Sequence, residues 1–279
     1  MRVRLDAELV RRGLAKSRAH ADELINSHQV LVNGIVASKA STQVDSQTSL
    51  KIQGEVDPYV SRGAHKLIGA FNYFGTDNFK IHNSICLDAG ASTGGFTQVL
   101  LENGAAQVIC VDVGYGQLAW QLQSDSKVVR IDRTNIRELS ISELQKSITQ
   151  LPSFVVADLS FISLRLVIDK LAELSSQDAQ MLLLVKPQFE LDAKSVGQNG
   201  VVREPELRVK AVTEVAHSAI DRNLLIYGIC ASPLPGPAGN VEYFIWISKT
   251  KIATRAPLTF VDGSLASEIS TAKIGRAHV

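Results

Sequence analysis

Leu87-Asp88-Ala89-Gly90-Ala91-Ser92-Thr93-Gly94-Gly95-Phe96-Thr97 is the stretch on which the fold turns. An apolar run beginning at Ile85 leads into it and an apolar helical pattern leads out, so the glycines form a turn between a strand and a helix. Outward from that turn the same alternation repeats. Strands are expected over residues 85–88, 108–112, 128–132, 154–158 and 181–186, with 224–229 and 241–247 following. Strands separated by helical segments imply βαβ units. From about Ile81 onward the chain is therefore expected to be α/β, around a parallel sheet.

The first five of these strands each end in an ionisable residue: Asp88, Asp112, Asp132, Asp158 and Lys186. In an open parallel sheet, ligands bind outside the carboxyl ends of the strands. Capping of the next helix would explain one or two of the aspartates, but not Lys186. The glycine-rich turn itself discriminates between ligands. A dinucleotide fingerprint needs glycine where Ser92 stands, and Asp88 would repel a diphosphate, which leaves a nicotinamide oxidoreductase as the weakest reading. A ligand carrying an ammonium and a sulfonium suits the turn better. Asp112 lies about twenty residues past Gly90, the usual offset for an acid that grips ribose hydroxyls. Asp132, on the next strand end, is placed to meet an adenine amino group. The ligand so described is S-adenosylmethionine, with Asp88, Gly90, Ser92, Thr93, Gly94, Gly95, Asp112 and Asp132 as its expected contacts.

Net charge over the 279 residues is only +1, but residues 1–20 hold six basic side chains against two acidic ones. Taken alone, such a cluster reads as a solvated helix face. Residues 5–12 form the pattern of a short helix ending at Gly13, and Ser17 can cap a second helix through His28. Asn33-Gly34 between short apolar runs is a strong hairpin signal, and a further β-prone stretch covers residues 49–52. Asp57-Pro58 and Ser61-Arg62-Gly63 suggest a domain joint. Cys86, Cys110 and Cys230 sit singly in apolar runs and are expected to be buried, and no metal site is expected. The charged start and the lack of an apolar run of ~20 residues imply a cytoplasmic chain that does not enter a membrane.

Several stretches then resemble one family: Ser61-Arg62-Gly63-Ala64-His65-Lys66-Leu67, the glycine-rich turn, Ala157-Asp158-Leu159-Ser160-Phe161-Ile162-Ser163-Leu164, Val185-Lys186-Pro187-Gln188-Phe189-Glu190, and Gly239-Asn240-Val241-Glu242-Tyr243-Phe244. They resemble the TlyA, or hemolysin A, group of ribosomal RNA 2'-O-methyltransferases within the FtsJ-like superfamily. The N-terminal stretch, with Arg4, Ser17-Arg18 and Asn33-Gly34, resembles the S4 (alpha-L) RNA-binding domain. The resemblance implies a Rossmann-like methyltransferase sheet behind a small α+β RNA-binding domain, acting as a monomer on ribosomal RNA within a ribosomal subunit, at cytidine. It implies a catalytic tetrad of Lys66, Asp158, Lys186 and Glu242, and RNA contacts from Arg4, Arg11, Arg12, Lys16, Ser17, Arg18, Asn33 and Arg62.

The chemistry asks for such a set. A sulfonium donor is already activated, so the enzyme must align donor and acceptor and take a proton from a ribose hydroxyl. Lysine serves as a base where burial and neighbouring positive charge favour its neutral form. Lys186, ending an all-apolar strand, is the expected base, with Lys66 supplying positive charge and holding the hydroxyl or phosphate, and Asp158 and Glu242 orienting the rest. Two ordinary buried ion pairs are the alternative. A pore-forming haemolysin and a non-catalytic RNA-binding module are the rival functions. The expected organisation is 1–60 for RNA binding, 61–252 for methyl transfer and 253–272 as a C-terminal extension. Residues 273–279 match one reading frame of a sequencing-library adapter and are expected to be non-native and to pack against nothing.

Overall fold

A computed structural model describes residues 2–53 and 57–272; the expectation for 273–279 falls outside the described residues. The chain divides into two compact units, 1–60 and 61–279.

The first unit runs β1 (Val3–Arg4), α1 (Leu5–Arg11), α2 (Arg18–Asn26), β2 (Val30–Val32), β3 (Ile35–Val36), β4 (Gln43–Val44) and β5 (Leu50–Ile52). Ser17 caps α2 by accepting the His20 N–H at 3.1 Å, which satisfies one of the helix's unpaired donors. Asn33 and Gly34 both have positive φ, the backbone that a two-residue hairpin between β2 and β3 requires. Leu5, Leu9, Ala21, Ile25 and Val30 close a small apolar core.

The second unit opens with α3 (Gly63–Phe74), where the sequence suggested only a joint. There follow β6 (Ile85–Ala89), α4 (Gly95–Glu102), β7 (Gln107–Val111), α5 (Trp120–Gln123), β8 (Val128–Ile131), α6 (Ile141–Leu144), β9 (Phe154–Ala157), α7 (Ile168–Glu173), β10 (Gln180–Val185), α8 (Pro187–Glu190), α9 (Pro205–Ile220), β11 (Leu225–Ala231), β12 (Tyr243–Ser248) and α10 (Ser264–Ala272). The seven strands form one Rossmann-like sheet in the order β11-β12-β10-β9-β6-β7-β8; the alternation of strands and helices implied a parallel sheet, and the structure departs from that at β12. β12 is antiparallel to both neighbours, and the other adjacent pairs are parallel. The order reverses between β6 and β9, so a crevice opens above their carboxyl ends. β9 and β10 are buried along their whole length, and all three cysteines are buried and free. Among the described residues no helix is long and apolar enough to cross a membrane.

Candidate active site

Four ionisable side chains meet at the carboxyl edge of the sheet, each delivered by a different element. Lys66 is in the first turn of α3, Asp158 directly follows β9, Lys186 directly follows β10, and Glu242 immediately precedes β12. The register accounts for the last two: β10 and β12 pair up to Val185↔Tyr243, so the next position on each strand brings Lys186 and Glu242 to the same edge.

Lys66 Nζ donates to Glu242 Oε2 at 2.6 Å and lies 3.8 Å from Asp158 Oδ2. Lys186 Nζ is 2.6 Å from Asp158 Oδ1 and donates to Ser160 Oγ at 2.9 Å. Asp158 is therefore shared between two lysines. Lys66, Lys186 and Glu242 are buried, whereas the Asp158 side chain keeps 22% of its surface exposed, so the cluster is open to an incoming molecule at Asp158. Ionisable groups this deeply placed are tolerated where they are paired, and each of the two lysines here faces a carboxylate. Glu242 Oε1 is buried with no hydrogen-bond partner among the described residues, and a Cβ at Gly236 would stand 2.5 Å from it. The proline-rich loop before β12 is thus packed hard against this carboxylate.

Two clefts flank the cluster, and both touch Gly90 and Asp158. The smaller, about 190 Å³, is lined by Ser61, Arg62, Lys66, Phe96 and Pro237 among others. The larger, about 450 Å³, is lined by Asp112, Gln117, Asn135, Ile136 and Ser160 among others. Gly90, at φ +83°, lies so close to the Asp158 carbonyl that a Cβ would meet its oxygen at 2.6 Å. Only glycine lets the turn approach the strand end and keep the cleft open. Asp112 accepts the N–H groups of Ser92 at 2.8 Å and Gly114 at 2.7 Å, which fixes its carboxylate at the mouth of the larger cleft.

The other expected cofactor contacts divide. Ser92 reaches both clefts, and Thr93 and Gly95 line the smaller one. Gly94 lines neither; it precedes α4 and lies under Leu118 and Leu122. Asp88 is fully buried behind the turn, where its Oδ2 accepts from Thr97 Oγ1 at 2.7 Å and its Oδ1 has no partner among the described residues. Burial pushes the Asp88 carboxyl up to about 7, against the pull of the Thr97 hydrogen bond. Asp132 is not among the lining residues and accepts the Gly116 N–H at 3.2 Å. Thr134, Asn135 and Ile136 supply the wall beyond β8 instead. Those three and Ser160 were missed in the sequence. Their only signal was a place just past a strand end, and nothing local tells which of several loop residues turns inward.

The expected RNA contacts divide in the same way. Arg18 is exposed at the start of α2, and Arg62 lines the smaller cleft while donating to the Pro235 carbonyl at 3.3 Å. Arg4 is held by Asp6 at 2.9 Å and Arg11 by Glu8 at 2.5 Å. Arg12 bonds Glu8 at 2.7 Å and the Thr48 and Asp45 carbonyls at 2.7 and 2.8 Å, which ties α1 to the loop before β5. Arg11 and Arg12 together hold the Glu8 carboxylate down to about 2. Lys16 reaches the Asp57 and Tyr59 carbonyls, Ser17 caps α2, and Asn33 Oδ1 accepts the Ser49 N–H.

Comparison with known proteins identifies the class as a methyltransferase. The FtsJ-like methyltransferase model matches residues 59–249 and the S4 domain model matches residues 3–49. The chain belongs to the FtsJ-like methyltransferase family and carries an S4 domain. It is 50% identical over 247 residues to the 16S/23S rRNA (cytidine-2'-O)-methyltransferase TlyA of Mycobacterium tuberculosis, covering 88% of this chain and 90% of that protein. It is 35% identical to hemolysin A of Brachyspira hyodysenteriae, covering 86% and 98%. A solved structure of a candidate hemolysin from Streptococcus thermophilus is 36% identical and superposes with a TM-score of 0.73, over 97% of this chain and 95% of that one.

Proposed function

We propose that this enzyme transfers a methyl group from S-adenosylmethionine to the 2'-hydroxyl of a cytidine in ribosomal RNA. The observation that carries the reading is the shared carboxylate: Asp158 joins Lys186 to Lys66 where both clefts converge. A volume of about 450 Å³ lies within the ~300–1,000 Å³ of small-molecule sites, and the Gly90 approach and the fixed Asp112 carboxylate suit an adenosine ligand. When bound there, S-adenosylmethionine supplies an electrophilic methyl group.

The chain's own residues do the rest. As the neutral amine, Lys186 Nζ takes the proton from the ribose hydroxyl and becomes the ammonium; Asp158 and Ser160 aim that nitrogen. Lys66, anchored by Glu242, stays paired with Asp158 and holds positive charge beside the acceptor oxygen as negative charge develops on it. Residues 1–60 serve as the RNA-binding unit, 61–252 as the catalytic unit and 253–272 as an extension of it. The substrate is the ribosomal RNA of a ribosomal subunit, met by a monomer in the cytoplasm.

Replacing Lys186 tests the assignment. Lys186→Ala is expected to abolish methyl transfer while calorimetry still finds S-adenosylmethionine bound with nearly native affinity. Lys186→Arg is expected to fail as well, because a guanidinium does not release its proton near neutral pH. Near-native transfer by the arginine variant would remove Lys186 from the role of base.

A further inference from the structure

The ladder between β9 and β10 ends at Ala157↔Leu183, before either Asp158 or Lys186 is reached. Asp158 keeps one backbone bond to β6, its N–H to the Ala89 carbonyl at 3.0 Å, but among the described residues no backbone hydrogen bond joins the segments 158–164 and 186–190 to fix their separation. A second set of contacts supplies it. Glu190, the last residue of α8, is 2% exposed, and its carboxylate points back at the segment after β9. Its Oε2 accepts from Ser163 Oγ at 2.5 Å and its Oε1 accepts the Leu164 N–H at 2.7 Å. Arg165 closes the arrangement, with Nε 3.4 Å from Glu190 Oε2, Nη2 donating to the Glu190 carbonyl at 2.8 Å, and Nη1 2.9 Å from Glu214 on α9. Between the ends, Lys186 bonds Ser160, and the Phe161 and Phe189 rings lie 5.3 Å apart.

We propose that Glu190 is a positioning residue for methyl transfer: it clasps the segment after β9 to the turn after β10 and so sets the Asp158–Lys186 distance. The proposal rests on the reading of that pair as the catalytic centre. A buried carboxylate that accepts a backbone N–H and a hydroxyl loses most of its cost of burial only if both donors stay in place, so the contact is rigid in both directions. Without it the 158–164 segment, which also carries Phe161 at a φ of +63°, is free to relax. A shift of about 1 Å at reacting groups costs on the order of 10²-fold in rate, although substrate and cofactor still bind.

The reach of this carboxylate matters more than its charge, and two near-isosteric variants of the full-length protein separate the two. Glu190→Asp keeps the charge but withdraws the carboxylate by one methylene, whereas Glu190→Gln keeps the reach and an oxygen for the Leu164 N–H. Turnover on ribosomal RNA, S-adenosylmethionine affinity by calorimetry and thermal unfolding are measured for both, with Lys186→Ala alongside. Glu190→Asp is expected to lose about tenfold or more in kcat, with cofactor affinity and RNA KM within about twofold of native. Glu190→Gln is expected to recover most of that loss. Native kcat in Glu190→Asp would overturn the clasp, as would a glutamine variant no faster than the aspartate one, or a loss confined to cofactor affinity. Native turnover by Lys186→Ala would instead overturn the underlying assignment, and the clasp with it.

Discussion

Asp88 is the residue whose environment departs furthest from its place in the sequence. Its position before the glycine-rich turn was plain, but its full burial was not, because nothing local shows that Thr97 folds back to cap it. A carboxyl raised to about 7 in the folded state is protonated there at pH values where the unfolded chain has already released the proton. The folded state then binds more protons than the unfolded one, so this group's contribution to stability falls as pH rises from about 4 towards 7. Asp88→Asn removes the titration while leaving an oxygen for Thr97. Its stability relative to native is expected to grow by up to ~1.4 kcal/mol per pH unit across that window and to level off above it, as read from urea unfolding at a series of pH values. A difference independent of pH would show that Asp88 does not titrate in this range. Asp132 makes a related point: an aspartate at a strand end was legible, but its engagement with the Gly116 N–H was not.

Among the elements, the helices of the first unit and α3 were read with unequal success, for one reason. Caps and turns are local, so Ser17 at the start of α2 and Asn33-Gly34 in the hairpin could be placed from the sequence. α3 was hidden because Ser61-Arg62-Gly63 resembles a joint, although Leu67, Ala70, Phe71 and Phe74 mark a helical apolar face that proves to be buried. Its importance is that it carries Lys66 into the site. In α1 and α2, basic residues alike in sequence differ in their work. Arg12 joins α1 to the loop before β5 through two carbonyls, so Arg12→Ala is expected to cost about 1–3 kcal/mol of unfolding stability. Arg18 is exposed, so Arg18→Ala is expected to leave stability within about 0.5 kcal/mol. It should also lower the salt dependence of RNA binding by about one phosphate contact. Denaturant melts and binding titrations at several salt concentrations check both. A destabilised Arg18 variant, or an Arg12 variant with native stability, would reverse the assignment.

For the whole molecule, the parallel part of the sheet followed from periodicity, since buried parallel strands and their crossover helices write a repeating pattern. The insertion of β12 between β10 and β11 did not, because strand order is a long-range property and adjacent β-prone runs do not state their neighbours. That insertion is what seats Glu242 beside Lys66, 176 residues away in the chain. The tetrad could thus be named from its motifs, but its connectivity, with Asp158 as the shared carboxylate, needed the tertiary fold. The chemical destination of the methyl group separates the proposed activity from its rivals. The most direct measurement incubates the purified protein with S-adenosylmethionine labelled in its methyl group and with ribosomal subunits lacking the modification, then digests the RNA to nucleosides. Label recovered as 2'-O-methylcytidine is the expected result; label on a base, or none transferred to RNA, would contradict it.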